Sequence, residues 1–162
     1  MCAANSCGIN LRLSLLSPYY TFSKVLDYIS KWREALFWQR AYMTTIYENM
    51  VKSMGACVNS FQDEGMFILF GNQAPDTLQD YCYVIDVLPI NGKIEPGQVA
   101  EIDGTRYMIT AVGELVEKKL GNFGHVTFSF TGDTQAELPG TIYLGKKPVP
   151  QLNIGSQITI HS

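Results

Sequence analysis

Histidine is almost missing from this chain: 162 residues contain only two, His125 and the penultimate His161. That scarcity rules out a metal site built from paired imidazoles on one element, and any imidazole chemistry has to rest on a single ring. Cysteine is sparse too. Cys2, Cys7, Cys57 and Cys82 have neither the close pairing of a zinc site nor the density of a secreted disulfide scaffold. Reduced thiols, a cytoplasmic setting and no bound metal are therefore expected. No apolar run reaches the roughly eighteen residues of a membrane-spanning helix, so direct membrane insertion is not expected. The cations are scattered and form no stripe of the kind that neutralises phosphates along a nucleic acid, which excludes that class of partner.

What is present suits one globular domain: 46% of residues are hydrophobic and 17% charged. The net charge of −3 is unevenly placed, with five Lys/Arg against two Asp/Glu in residues 1–42 and seven against thirteen in residues 43–162. In the first segment Leu26, Ile29, Trp32 and Leu36 recur at helical spacing behind a Ser23 N-cap, interleaved with Lys24, Lys31, Arg33 and Arg40. That pattern predicts a cationic amphipathic helix able to lie on an anionic surface or a partner. The stretch "LRLSLLSPYYTF" is followed by no small-residue cleavage signal, which argues against a secretory leader. Residues 1–42 are read as an N-terminal helical extension outside the domain, and Met43 as the expected start of that domain.

After Met43 the texture changes to short runs of β-branched and aromatic residues separated by Gly, Pro, Asn and Asp. Strands are predicted over 44–52, 66–70, 81–88, 98–102, 105–112, 125–130, 141–144 and 157–160. Asp103-Gly104 predicts a type I′ hairpin turn, because both residues tolerate positive φ. Asn91-Gly92, Pro96-Gly97 and Thr131-Gly132-Asp133 mark further turns. One short helix is expected at 114–120, "ELVEKKL", stopped by Gly121. Many short strands and one helix imply an all-β domain, a closed barrel or a sandwich.

Strand alternation puts Val126, Phe128 and Phe130 on the core side, leaving His125 with Thr127 and Ser129 on a polar face. No Gly-x-Ser-x-Gly elbow occurs, and the glycines of "LGNFGH" precede a strand with no Lys-Ser/Thr after them, so neither esterase nor phosphate-loop chemistry is supported. Asp76, Asp80 and Asp86 read as a solvated loop, with Asp76 as a helix N-cap.

From Met43 onward, "MTTIYENMVKSMGA", "APDTLQDYCYVI", "PGQ", "YMITAVGE", "LGNFGHVTFSF" and "ELPGTIYL" occur in order. With these segments residues 43–162 resemble the glucitol/sorbitol-specific enzyme IIA of the bacterial phosphoenolpyruvate-dependent sugar phosphotransferase system. The resemblance implies a closed, Greek-key-like β-barrel in the cytoplasm that needs no cofactor. In that family a histidine takes a phosphoryl group from the histidine-containing phosphocarrier protein and hands it to the IIB domain of a IIB/IIC permease.

The family's acceptor follows the "YC" pair by three residues, which here is Ile85, and a second histidine two residues on corresponds to Val87. A hydrocarbon cannot bond phosphorus, so activity at that position is expected to be lost. His125 matches the histidine of the family's "GHVT" segment, expected beside the acceptor, with Thr127 as a neighbouring hydrogen-bond donor. Cys82 and Asp86 are the substitute nucleophiles nearby, although alternation turns both away from the face of Ile85, Tyr83 and Tyr81. Two functions follow: a phosphocarrier component of a sorbitol phosphotransferase system, or a non-catalytic regulatory module that keeps the docking surface.

Overall fold

The computed structural model describes residues 43–162, so the predicted N-terminal helix and its boundary with the domain lie outside the described residues. Nine strands run in the order β1 (Thr45–Met50), β2 (Ser53–Met54), β3 (Met66–Gly71), β4 (Tyr83–Ile85), β5 (Val99–Ile102), β6 (Thr105–Val112), β7 (Val126–Ser129), β8 (Thr141–Leu144) and β9 (Gln157–His161). All belong to one sheet, whose neighbours are β1-β9-β5-β6-β8-β7-β3-β4-β2. The all-β class expected from the sequence is thus found.

The sheet's two terminal strands are consecutive in the chain, separated only by Val51 and Lys52. The Val51 amide donates to the Ser156 carbonyl, and the Lys52 amide donates to the Val84 carbonyl, so one run of chain bonds to both ends of the ladder. Beyond β4 the same side of β1 is covered by residues 86–91, where the Asn91 amide donates to the Ile46 carbonyl. The sheet therefore curls into a barrel. Unlike a barrel made only of hairpins, it contains two parallel ladders, β3 with β4 and β7 with β8.

Burial follows the two-residue period where strands are regular: Phe67 and Leu69 of β3 and Val126 and Phe128 of β7 point into the core. Phe67 stacks on Phe128 at 5.1 Å and meets Tyr83 edge-on at 6.0 Å, which ties β3, β4 and β7 into one apolar cluster. The Asp103-Gly104 turn has the expected left-handed pair, φ 46° and 79°, and pairs Ile102 with Thr105.

Three details differ from the sequence reading. The predicted strand over 81–88 is ordered as strand only from Tyr83 to Ile85. Tyr81 lies before it in a turn and is exposed, while Cys82 is buried, so alternation fails at those two residues. The helix expected to stop at Gly121 runs from Val116 to Phe123 (α2) and ends at Gly124, φ 63°. A single internal glycine costs a helix only about 1 kcal/mol, less than buried Val116 and Leu120 return by packing. Finally, a 3-10 turn (Val58–Phe61) and a single helical turn (α1, Asp76–Gln79) join the one expected helix, with Pro75 and not Asp76 at the N-cap of α1.

Candidate functional site

The end of α2 is set against β3 by two glycines. A methyl group on Gly124 would lie 2.9 Å from the Gly71 nitrogen and 3.5 Å from Ile85 Cγ1. One on Gly71 would lie 2.6 Å from the Phe123 carbonyl oxygen and 2.7 Å from Val87 Cγ2. No side chain fits between these segments, so the helix terminus, β3 and the chain leaving β4 meet at van der Waals distance. Ile85 and Val87 thus come to the contact made by Gly124, the residue before His125.

Their environments differ. Ile85, paired with Gly71 in the parallel ladder, has no exposed surface and belongs to the core. Val87 is 39% exposed and Phe123 52%, which leaves an apolar rim outside the glycine contact. His125 lies where α2 gives way to β7. The Gly124 amide donates to the Leu120 carbonyl, and the His125 amide donates to the Lys119 carbonyl at 3.2 Å, so the left-handed cap fixes the imidazole against the last helical turn.

The His125 ring packs on Phe70 with centroids 4.7 Å apart. Its Nδ1 is buried and has no hydrogen-bond partner. Burial holds its pKa below the usual histidine value, the Lys119 ammonium lowers it further, and the Leu69 backbone acts weakly in the opposite direction. The ring is neutral at pH 7, the state in which an imidazole nitrogen keeps its lone pair.

Thr127 is half-buried on the same face as His125, as alternation required, and its amide donates to the Gly140 carbonyl at 3.1 Å. Further along, Ser129 Oγ lies 3.1 Å from Thr131 Oγ1, whose hydroxyl donates to Asp133 at 2.6 Å. Neither alternative nucleophile is brought to the imidazole in reactive form. Burial pushes the Cys82 thiol up to about 11, keeping it protonated. Asp86 is exposed and paired with Lys52 at 3.2 Å. Among the described residues no group of three or more His, Cys, Asp or Glu is placed to hold a metal ion, and Asp76, Asp80 and Asp86 stay apart.

Lys119 is a residue that sequence reasoning missed. Within "ELVEKKL" it looks like one of two solvated lysines, but it is half-buried beside the stripe of Val116 and Leu120 while Lys118 is exposed. Its position three residues after Val116 was the available signal. Phe70 carried no signal, because cross-strand partners depend on register. Two clefts of about 250 and 290 Å³ open elsewhere, around Glu95, Glu114 and Glu117 and around Glu114 and Glu137. His125 and Ile85 line neither of these two.

The model of the family described as PTS system glucitol/sorbitol-specific IIA component matches residues 46–159, from β1 into β9. Two proteins named PTS system glucitol/sorbitol-specific EIIA component, from Shigella flexneri and Escherichia coli (strain K12), are each 36% identical over 108 residues, covering 67% of this chain and 87% of theirs. The crystal structure of a PTS system IIA component from Enterococcus faecalis V583 superimposes with a TM-score of 0.61 at 27% identity, covering 69% of this chain and 97% of that one. With a matched span that takes in every strand of the barrel, the chain belongs to the glucitol/sorbitol-specific IIA component family of the phosphotransferase system.

Proposed function

We propose that this chain works in the cytoplasm as a IIA-type docking component of a glucitol/sorbitol phosphotransferase system, and that no phosphoryl group passes through position 85. Its partners in this reading are the histidine-containing phosphocarrier protein and the sorbitol-specific IIB/IIC permease. The observation that carries the proposal is the state of Ile85: it stands where the resemblance assigns the acceptor, it is a hydrocarbon, and it is wholly enclosed by the core. Loss of an acceptor removes an obligatory covalent step, whereas a change around it only slows that step. The exposed apolar residues Val87 and Phe123 beside position 85 suit contact with a protein surface. No helix among the described residues is long and apolar enough to cross a membrane.

A second reading is favoured by one specific observation. His125 is neutral, the state in which an imidazole keeps a lone pair, so the ring could accept a phosphoryl group in place of position 85 once a nitrogen is exposed, its Nδ1 being buried in the free chain. Incubation with phosphoenolpyruvate, enzyme I and the phosphocarrier, followed by intact-mass measurement, separates the two. The docking reading expects an unmodified mass. An added phosphoryl group that disappears in His125→Ala would establish relay through His125; one that persists in that variant would overturn both readings.

A further inference from the structure

We propose that His125 is an acid-sensitive latch: while its ring is neutral it holds the end of α2 against β3, and taking up a proton releases that end. Three features of the junction between α2 and β7 carry the proposal. The ring lies on Phe70 with centroids 4.7 Å apart, so a side chain of the junction rests on β3. Its Nδ1 is buried and has no hydrogen-bond partner. The backbone around it has no slack. The Gly124 amide donates to the Leu120 carbonyl at 2.9 Å, the His125 amide donates to the Lys119 carbonyl at 3.2 Å, and a methyl group on Gly124 would lie 2.9 Å from the Gly71 nitrogen.

A proton acts on this arrangement in two ways. A neutral imidazole carries one N–H, on either nitrogen, whereas the imidazolium carries two. Whichever tautomer the neutral ring adopts, the protonated ring has an Nδ1–H in a place that offers it no acceptor, and a buried donor left unmatched is costly. The second effect is charge, because Lys119 stands in the last turns of α2 and its ammonium repels an imidazolium. No neighbouring group offsets it. Strands β3 and β7 contain no charged residue, and burial keeps the Tyr83 phenol of β4 neutral by raising its pKa. On α2, Glu117 accepts the Ile94 amide and Lys118 is exposed. Beyond β4, Asp86 is paired with Lys52; in β8 the Tyr143 hydroxyl accepts the Leu138 amide; past β7, Asp133 accepts the Thr131 hydroxyl and Glu137 is exposed.

The protonated ring must therefore leave Phe70 for water. Without it, the last turn of α2 keeps β3 through the close approach of Gly71 and Gly124, neither of which has a side chain to bury. The closed junction disfavours the proton and the open one does not, so opening is rarest above the ordinary histidine value. As pH falls below that value, opening grows by at most about tenfold per pH unit for one proton, until the closed ring itself titrates. Val87 lies against Gly71 at the same contact as the Phe123 carbonyl, so release separates the two apolar residues. Acid would then dismantle the docking face; this consequence rests on the docking role proposed above, and the latch itself does not.

The test is native-state hydrogen exchange in the full chain, read at the Gly124 and His125 amides across pH and low concentrations of urea. Both amides are expected to exchange through an opening that exposes little surface and so responds weakly to urea, unlike the amides of β9. Their protection should fall by up to about tenfold per pH unit on acidification below the ordinary histidine value. His125→Phe, which keeps a ring on Phe70, should abolish that fall. Lys119→Gln should shrink it, because the closed ring then holds its proton more readily, and Lys118→Gln should leave it unchanged. If the phenylalanine variant does not fold, the two lysine variants decide. Protection that ignores pH would mean that the ring swings out alone and would overturn the latch. So would exchange with the urea response of β9, or an equal effect of the two lysine variants. No partner enters the measurement, so its failure is distinguishable from failure of the docking role.

Discussion

His125 combines three conditions that rarely coincide in one residue: a buried ring nitrogen without a partner, an aromatic neighbour at 4.7 Å, and a cation that acts on it. Burial and the Lys119 cation disfavour the protonated ring, and they make the residue a source of pH dependence. Its folded pKa is lowered, so between the ordinary histidine value and that lower value the unfolded chain binds a proton that the folded chain refuses. The contribution to stability is therefore complete above the ordinary value and is lost as pH falls through the folded one. Urea unfolding midpoints should decline on acidification below neutrality in the wild type, and His125→Gln should flatten that decline while leaving the steeper loss due to carboxylates at lower pH. An identical slope in the variant would mean that the ring is freely solvated. Alternation alone correctly put His125 and Thr127 on one face and Phe128 on the other. Burial of Nδ1 and contact with Phe70 were not legible, because both depend on which residue of β3 stands opposite.

At the scale of elements, local chemistry was legible where it acts alone and misleading where another segment decides. The Asp103-Gly104 hairpin was readable since its two positive φ values are a property of the turn residues themselves. The end of α2 was misplaced because the sequence contains two candidate glycines, and only the tertiary contact selects the second. Gly121 has open space beside it, the nearest atom to a new Cβ being Ile90 Cδ1 at 3.9 Å, while Gly124 adopts φ 63° and abuts β3. These two demands can be separated experimentally. Gly65 also has positive φ, 74°, but nothing lies within 4 Å of a Cβ there. Gly65→Ala should cost only the left-handed backbone, about 1 kcal/mol, whereas Gly124→Ala adds the collision with the Gly71 backbone and should cost roughly 3 kcal/mol in denaturant titrations. Equal losses would show that helix and strand separate easily, and that Ile85 and Val87 are loosely held at the contact made by Gly124.

The path of the whole chain around the barrel was the least legible feature. Sequence neighbours suggest hairpins, yet β3 and β4, like β7 and β8, run parallel, and β9 lies between β1 and β5. Such pairings are set by the global curl of the sheet and leave no periodic trace in either strand. The curl closes where β1 passes into β2, and one buried polar side chain holds that seam. Asn49 is 4% exposed; its amide donates to the Tyr47 hydroxyl and to the Asp86 carbonyl, each at 2.7 Å, while its carbonyl oxygen accepts the Met50 amide at 2.8 Å. The bond to Asp86 ties β1 to the chain just beyond Ile85, so the seam and the candidate site share a support. Removing a side chain that satisfies buried groups leaves them without partners, at a cost of about 1–3 kcal/mol each where water cannot enter. Asn49→Ala should therefore lower stability by roughly 3 kcal/mol, and hydrogen exchange should quicken first at Lys52 and Asn91, whose amides bridge the seam to Val84 and Ile46. Arg106→Ala, which breaks only an exposed ion pair with Glu101, should change stability by less than about 1 kcal/mol and leave those two amides protected. If Asn49→Ala is no worse than Arg106→Ala, the barrel is held shut by its apolar core alone, and the segment that carries position 85 is anchored by its strand partner Gly71 and not by the closure.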